Sequence, residues 1–438
     1  MHTYTDLPKV LVIGINAWRE DATAHTLMNI FKCWDPDKLA LIYTRADLPD
    51  TEVCHRYFQI SESKILHTLG RPWKKIGNKV ENTRSQNNSE ILNEHERYKK
   101  MHKVKLPFLP LAREFVWKFG NWKSPALKSF IDEFNPDIIF APIYPVAFMG
   151  RLQRYIADYT GKPVVGYLAD DNYSYDSCHN IWNYTHRFWL RKHVGNLARR
   201  CKEIFVIVDK EKEDTDTRFN QNSVILTKGI DFSKKSYREH TPKYPIRFVY
   251  TGNLIIGRGS TLAMLAEAIN EINADSVKAE LFIYSQTEPD AAMLKKLNNG
   301  ASHFCGFIDR NEVDRVQEEA DVVVFAESLR GKTANAAKLS FSTKITDYLA
   351  NGKCILAIGR EYIAPIDYFR RNDSAIIANS EEEIVAAVKK IVESPQIIKK
   401  YGKKAYDCAV RNHKQEDMGR TSTAWPANSA LSNQPRNS

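Results

Sequence analysis

Lys344 and Asp347 sit in the most chemically informative stretch of this 438-residue chain, Ser340-Phe341-Ser342-Thr343-Lys344-Ile345-Thr346-Asp347-Tyr348-Leu349-Ala350-Asn351-Gly352-Lys353. An apolar run from Ala320 to Glu327 precedes it and another, Cys354 to Gly359, follows. The order is strand, loop, short helix opening on Ser342, Thr343 and Lys344, glycine stop, strand. A βαβ unit of this kind presents backbone N–H groups and a lysine at a helix N-terminus, where phosphate is favoured. Asp347 follows Lys344 by one helical turn on the same face, placed to accept from a hydroxyl beside that phosphate. This layout would hold a sugar nucleotide by diphosphate and ribose. The alternative is an ordinary crossover helix with a solvated lysine and aspartate.

A second phosphate-holding element lies upstream. The run Ile246 to Leu254, with Gly252 and Asn253 near its end, leads into Ile255-Ile256-Gly257-Arg258-Gly259-Ser260-Thr261-Leu262. Glycines let the backbone approach an anion, and an arginine can fork two of its oxygens. Glu327 ends the strand before the Lys344 segment. The intervening loop, Leu329 to Leu339, holds Arg330, Gly331, Lys332 and Lys338 and is expected to be flexible and charged enough to close over a ligand.

The elements positioning these residues repeat along the chain. Lys9 to Gly14 reads as a strand, residues 23–34 as a helix and Leu39 to Tyr43 as the next strand, the first βαβ of a parallel sheet. With one glycine at that first turn, the dinucleotide fingerprint is missing and NAD binding is not expected. Pro136 to Pro142, a helix from Val146 to Tyr159 and Lys162 to Asp171 continue the pattern. Asp170 and Asp171 then lie beyond a strand's carboxyl end, where open parallel sheets bind ligands; a cap or turn is the competing use of the pair. A long basic helix from Ile181 to Cys201, a strand from Glu203 to Val208 and a turn at Lys228-Gly229-Ile230-Asp231 close the first half. Phe232 to Pro245, polar with two prolines, reads as a linker.

Composition narrows the class. Hydrophobic residues make up 43% and charged residues 26%, a globular balance, and the length suits two domains. No apolar run approaches the ~20 residues that span a bilayer. The first residues lack a basic stretch followed by an apolar one, so no secretory signal is expected. Seven scattered cysteines without a CxxC read as reduced thiols in a cytosol, neither a disulfide frame nor a zinc site. The net charge is +10, and residues 64–123 alone carry +9, interleaved with Trp73, Phe108, Phe115, Trp117, Phe119 and Trp122. That mixture suits either an anionic membrane surface or a solvated insertion whose aromatics pack on the domain. No nucleic-acid partner is expected, because no RNA-binding or helix-turn-helix signature accompanies the charge. Residues 419–438, rich in Ser, Asn and Pro, read as disordered.

The second half resembles the C-terminal domain of GT-B glycosyltransferases, especially the retaining glycosyltransferase 4 type (group 1), whose members carry a helix of the form S/P-x-K-x-x-E-Y-x-A-x-G-K. Ser342, Lys344, Asp347, Tyr348, Ala350, Gly352 and Lys353 match it, with Asp in place of Glu. The class places a second glutamate eight positions earlier; here that position is Leu339, and Glu327 is expected to take over its work. Arg258-Gly259 matches the basic-Gly pair that touches the donor diphosphate, Ala279 to Ser285 resembles an L-x-I-Y-G strand, and Lys228 to Asp231 resembles the N-G-V-D turn before the interdomain linker.

The resemblance implies an α/β protein of two Rossmann-like, doubly wound parallel-sheet domains facing a cleft. Residues 1–231 would bind acceptor, 232–245 would be the linker and 246–418 would bind the nucleotide sugar, leaving 419–438 as a tail. A late helix often crosses back to the first domain. The implied reaction moves a sugar from a nucleotide-diphospho-sugar to a saccharide or lipid-linked acceptor in surface polysaccharide or glycan biosynthesis. Arg258, Lys344 and Glu327 would carry it. Gly252, Asn253, Gly257, Gly259, Phe307, Ile308, Ser342, Thr343 and Asp347 would hold the donor, Phe307 and Ile308 covering its base. Gly14, Asn16, Trp18 and Arg19 would face the acceptor, with packing or a surface charge as the plainer role of each. Many relatives hold a histidine near Asp170 and Asp171, whose carboxylates would here meet acceptor or sugar hydroxyls. No metal or other cofactor is implied, and the expected location is cytoplasmic or peripheral on the inner membrane face. Two rivals share the frame: a nucleotide-sugar 2-epimerase, and a non-catalytic sugar-nucleotide-binding homologue.

Overall fold

The computed structural model describes residues 7–19, 25–71, 73–80, 108–233 and 235–421. The chain forms two units. One comprises the chain to Ile207, then Lys212–Thr227 and the chain from Met418 onward; the other comprises Val208–Glu211 and Lys228–Asp417.

The first unit is built on an eight-stranded sheet. Its strands are β1 (Val10–Ile13), β2 (Leu39–Tyr43), β3 (Arg56–Gln59), β4 (Asn78–Val80), β5 (Ile138–Pro142), β6 (Val164–Leu168), β7 (Glu203–Val206) and β8 (Val224–Ile225). They run in the order β4-β3-β2-β1-β5-β6-β7-β8, and β4 alone is antiparallel to its neighbour. The central strands β1, β2, β5 and β6 are apolar and buried because helices cover both faces. Leu11 and Ile13 pack into one core with the Pro125–Phe134 and Ala147–Thr160 helices, while Val10 and Val12 face another with Trp18, Phe31 and Phe140. This alternation is the two-residue period of a strand read on both sides.

The second unit has six parallel strands. They are β9 (Ile246–Thr251), β10 (Ala279–Tyr284), β11 (Ser302–Gly306), β12 (Val322–Ala326), β13 (Cys354–Ile358) and β14 (Ile376–Ala378). The order β11-β10-β9-β12-β13-β14 winds outward both ways from β9 and β12. That makes the β9/β12 junction the topological switch point, where loops leaving adjacent strand ends diverge and open a crevice. In the first unit the corresponding junction is β1/β5.

Three expectations about the chain's organisation are corrected. The stretch 232–245 is no bare linker: Tyr237 packs on Tyr406, His240 Nε2 lies 2.6 Å from Asp321 Oδ1, and the Tyr244 hydroxyl donates to the Val392 carbonyl at 2.6 Å. The Gln396–Asn412 helix stays with the second unit, packed on β13 and on the Thr343–Ala350 helix. Residues 415–421 are helical and Met418 packs on the first unit's core, so 419–421 are not part of a disordered tail; 422–438 lie outside the described residues. The basic aromatic stretch divides as well: Trp117 and Trp122 are core, Trp117 stacking on Phe148 at 4.2 Å, whereas Trp73, Phe108, Phe115 and Phe119 are exposed. Residues 81–107 of that stretch, and the N-terminal start read for a signal, fall outside the described residues. Among the described residues no helix is long and apolar enough to cross a membrane.

Candidate functional site

The second unit's switch point gathers the charged residues that the sequence singles out. Arg258 opens the Arg258–Ile272 helix just past β9, and Glu327 follows directly on β12. Their side chains meet in a bidentate pair, Nη2 to Oε1 at 2.7 Å and Nε to Oε2 at 3.0 Å. The third arm of the guanidinium, Nη1, donates to Asn253 Oδ1 at 2.7 Å. Asn253 is itself fixed through its carbonyl, which accepts from the Tyr250 hydroxyl at 2.6 Å. The Glu327 backbone is pinned twice, its N–H donating to Ile358 and its carbonyl accepting from the Thr261 hydroxyl.

Electrostatics show how constrained this pair is. Burial pushes the Glu327 carboxyl up, against the pull of Arg258 and then of Lys344. Burial also acts to lower Arg258, but the hydrogen bonds and charge of Glu327 outweigh it and leave the guanidinium raised. The two shifts favour opposite ionisation states of one pair. Two short, parallel N–H to oxygen contacts decide for the ionised form, since that geometry is the strongest a carboxylate can have with arginine.

Lys344, in the first turn of the Thr343–Ala350 helix, donates from Nζ to the Thr251 carbonyl at the end of β9, at 2.8 Å. Its side chain as a whole is exposed, yet the ammonium faces protein. Burial of that group and then the charge of Arg258 lower its pKa to about 8, against the opposing pull of Glu327 and Asp347. Thr251 is also held by Gln317 and Tyr348, whose side chains lie 2.8 and 3.1 Å from its hydroxyl. A Cβ on Gly252 would stand 2.7 Å from Lys344 Nζ and 2.7 Å from the Tyr250 hydroxyl, so both side-chain ends would have to shift. Gly257 adopts φ +79°, and a Cβ would come 2.6 Å from Ser328 Oγ. Both glycines therefore shape the loop, whatever they also allow to a ligand.

Several expected roles change in detail. Asp347 does lie on the Lys344 helix, but its Oδ1 accepts from Lys228 Nζ at 2.6 Å. Lys228 is the Asp347 partner that sequence reasoning passed over; its only local signal is standing where the resembling turn has Asn. Glu327 reaches Arg258, so its immediate work is holding that guanidinium. The amides of Arg258 and Gly259 turn back onto the carbonyls of Ile255 and Leu254. Ser342 is the N-cap of its helix but its hydroxyl does not cap, and Thr343 is the first helical residue. Phe307 is 71% exposed just past β11, with Ile308 half-buried beside it. The loop expected to be flexible is ordered into a short helix, Gly331–Ala334, and a 3-10 turn, Asn335–Ala337, with Ala334, Ala337 and Leu339 buried.

In the first unit the acceptor-side candidates are mostly committed to structure. Trp18 is core, 2% exposed and stacked on Phe31, so it is not available as a binding face. Arg19 donates to the Leu48 carbonyl at 3.3 Å. The Gly14 amide donates to Ile42, and a Cβ there would touch the Tyr144 hydroxyl at 3.4 Å. Asp171 serves a turn: it accepts from the amides of Tyr173 and Ser174 and from the Ser174 hydroxyl. Burial opposes its ionisation, yet these bonds hold it below its ordinary range. Asp170 is exposed. Asn16 differs, in that its buried Oδ1 has no hydrogen-bond partner.

Residues 245–394 match the family model described as Glycosyl transferases group 1. No curated protein matches the chain in sequence. Among solved structures, Anabaena HepE in complex with UDP is similar at TM-score 0.60 and 11% identity, covering 96% of this chain and 100% of that one. Sucrose-phosphate synthase from Thermosynechococcus elongatus is similar at TM-score 0.60 and 9% identity, covering 97% and 100%. A Listeria monocytogenes protein described as a UDP-N-acetylglucosamine 2-epimerase is similar at TM-score 0.50 and 11% identity, covering 98% and 99%.

Proposed function

We propose that this chain, with its GT-B fold and a segment of its second unit that matches the Glycosyl transferases group 1 model, is a glycosyltransferase that moves a sugar from a nucleotide-diphospho-sugar to a saccharide or lipid-linked acceptor with retention of configuration. The observation that carries this reading is the convergence of Arg258, Glu327 and Lys344 on the β9/β12 switch point. Departure of the nucleotide leaves negative charge on the diphosphate. Positive groups already in place stabilise that charge without reorganising. Lys344 rests on a neutral carbonyl; a phosphate oxygen is a better acceptor and would raise the lysine pKa from about 8, keeping the ammonium charged. Arg258 presents its guanidinium to the same anion with Glu327 setting its plane, which makes Glu327 a positioning residue.

Asp347 would accept from a ribose hydroxyl while Lys228 orients the carboxylate. The exposed ring of Phe307, with Ile308, would cover the base, and Ser342 and Thr343 would donate to phosphate at the helix start. Asn16 is the acceptor-side group best supported, since its buried oxygen lacks a partner. The scheme assigns no step to a metal ion. HepE was solved with UDP, so uridine nucleotides are the first donors to try, and glycan assembly is the setting we favour.

The test is turnover: nucleoside diphosphate released from a panel of nucleotide sugars, with and without saccharide acceptors. Acceptor-dependent release, abolished in Arg258→Ala, is the expected result. Conversion of the donor sugar without acceptor would point to the epimerase, whose likeness here is one of fold alone. Nucleotide binding with no turnover on any acceptor would point to the non-catalytic homologue.

A further inference from the structure

The first unit carries a concentration of exposed apolar side chains that its own fold does not use. Trp73, Phe108, Phe115 and Phe119 are 76%, 45%, 59% and 57% exposed. Ile181, Trp182, Phe188 and Trp189 are 72%, 45%, 65% and 50% exposed. They belong to neighbouring elements. The Leu109–Phe119 helix packs on both the Glu62–Leu66 helix and the Ile181–Arg200 helix, and Phe108 meets Trp182 edge-on at 6.4 Å. An exposed aromatic cluster of this kind on a globular unit marks an interaction face.

The face is held rigidly from beneath. Glu62 accepts from Arg113 Nε at 2.6 Å and from the Trp117 indole at 3.0 Å. Glu114 accepts from the amides of Ala147 and Phe148 at 2.7 and 3.2 Å, capping the next helix, and pairs with Arg151 at 2.9 Å. Glu114, the one acid of the Leu109–Phe119 helix, and Glu62 of the neighbouring helix are thus spent on anchoring, while Phe115 and Phe119 pack together outward at 4.5 Å. On the long helix, Ile181, Phe188, Lys192 and Arg199 fall on one exposed stripe, opposite the buried Leu190, Val194 and Leu197.

Charge selects the occupant. The Ile181–Arg200 helix holds Arg187, Arg191, Lys192, Arg199 and Arg200 and no acidic residue. Around Trp73, Arg71, Lys74 and Lys75 are all exposed, and the sequence has no acid between residues 63 and 80. Exposed aromatic side chains beside exposed basic ones such as Lys74, Lys75 and Lys192 match a bilayer interface, where rings enter the headgroup layer and cations meet anionic lipid. A second copy of this chain would bring the same positive charge against itself. We infer that this face docks the protein on an anionic lipid bilayer. The inference stands on the first unit alone and goes beyond the transferase reading.

Vesicle flotation of the full chain tests it, using vesicles of phosphatidylcholine alone and of equal parts phosphatidylcholine and phosphatidylglycerol. Binding to the anionic vesicles only, weakened by salt, is expected. Lys74→Glu/Lys75→Glu/Lys192→Glu should weaken it by roughly fivefold or more per charge, and Trp182→Ala/Phe188→Ala/Trp189→Ala by about tenfold or more. Nucleotide-induced thermal stabilisation should be unchanged in both, which separates failure here from failure of the donor site. Brominated lipid should quench part of the wild-type tryptophan fluorescence, a readout that needs no variant. Absence of vesicle binding, equal binding by the variants, or a self-associated species broken by the aromatic variant without lipid binding would each overturn the proposal.

Discussion

The two switch points of this molecule solve one problem in two ways. In the first unit, the carbonyls of Ile13 and Pro142, at the diverging ends of β1 and β5, both accept from the amide of Gln153, at 3.1 and 2.8 Å. Asn172 secures the next carbonyl, Ile143, at 2.7 Å, and Tyr144 closes over Gly14. In the second unit, the carbonyl ending β9 takes the ammonium of Lys344, and the crevice beside it holds the Arg258–Glu327 pair. A neutral amide does the first job at little electrostatic cost. Charged groups at the second carry a desolvation penalty that a purely structural role would not require. The difference is the one the proposed donor site needs: charge held in place at the second crevice, and a neutral amide tying the strand ends together at the first.

Breaking the ionic pair should have the largest consequence. Arg258→Ala leaves Glu327 buried and uncompensated, costing about 3–5 kcal/mol of stability, to be read from urea denaturation; Arg258→Ala/Glu327→Leu should recover much of that stability and none of the nucleotide binding. Gly257→Ala combines a left-handed backbone with contact on Ser328 and should cost about 1–2 kcal/mol, with a parallel loss of nucleotide affinity. Gln153→Leu sharpens the contrast from the other side. It removes two hydrogen bonds and should cost about 1–3 kcal/mol, but calorimetry should find nucleotide affinity unchanged.

The smallest effect is the dependence on pH. Lys344 releases its proton near pH 8 in the folded chain, against an ordinary value of 10.5. Between those values the unfolded chain binds more protons at this group, so its contribution to stability rises with pH across the window. Affinity for a diphosphate should move the opposite way, falling above about pH 8 as the ammonium is lost. Both trends should flatten in Lys344→Met, measured by denaturation and calorimetry at several pH values.

The parallel strands β3, β8 and β14 went unread, but β1, β2, β5, β6, β7, β9, β10, β12 and β13 were legible because each is a short apolar run between turn signals. The three-residue β4 was not, being polar and an edge strand whose existence depends on β3. Lys344, Asp347 and Arg258 stood out in the sequence because charged residues beside glycines at helix starts leave a local spacing. Their partners did not. Lys228 lies 119 residues from Asp347 and Gln317 lies 66 from Thr251, and nothing in local spacing encodes a pairing that only the folded sheet brings about. Trp18 shows the converse failure: a residue beside a strand end faced the core, stacked on Phe31, because the helix after β1 needed an aromatic floor.

The central claim, that the β9/β12 crevice receives a nucleoside diphosphate, is tested most directly by calorimetry and thermal shift of the purified chain against UDP, GDP, ADP, CMP and dTDP, with Lys344→Ala alongside. The account predicts specific binding of one diphosphate, weakened by about a hundredfold in Lys344→Ala. Binding of none, or binding that Lys344→Ala leaves intact, would contradict it.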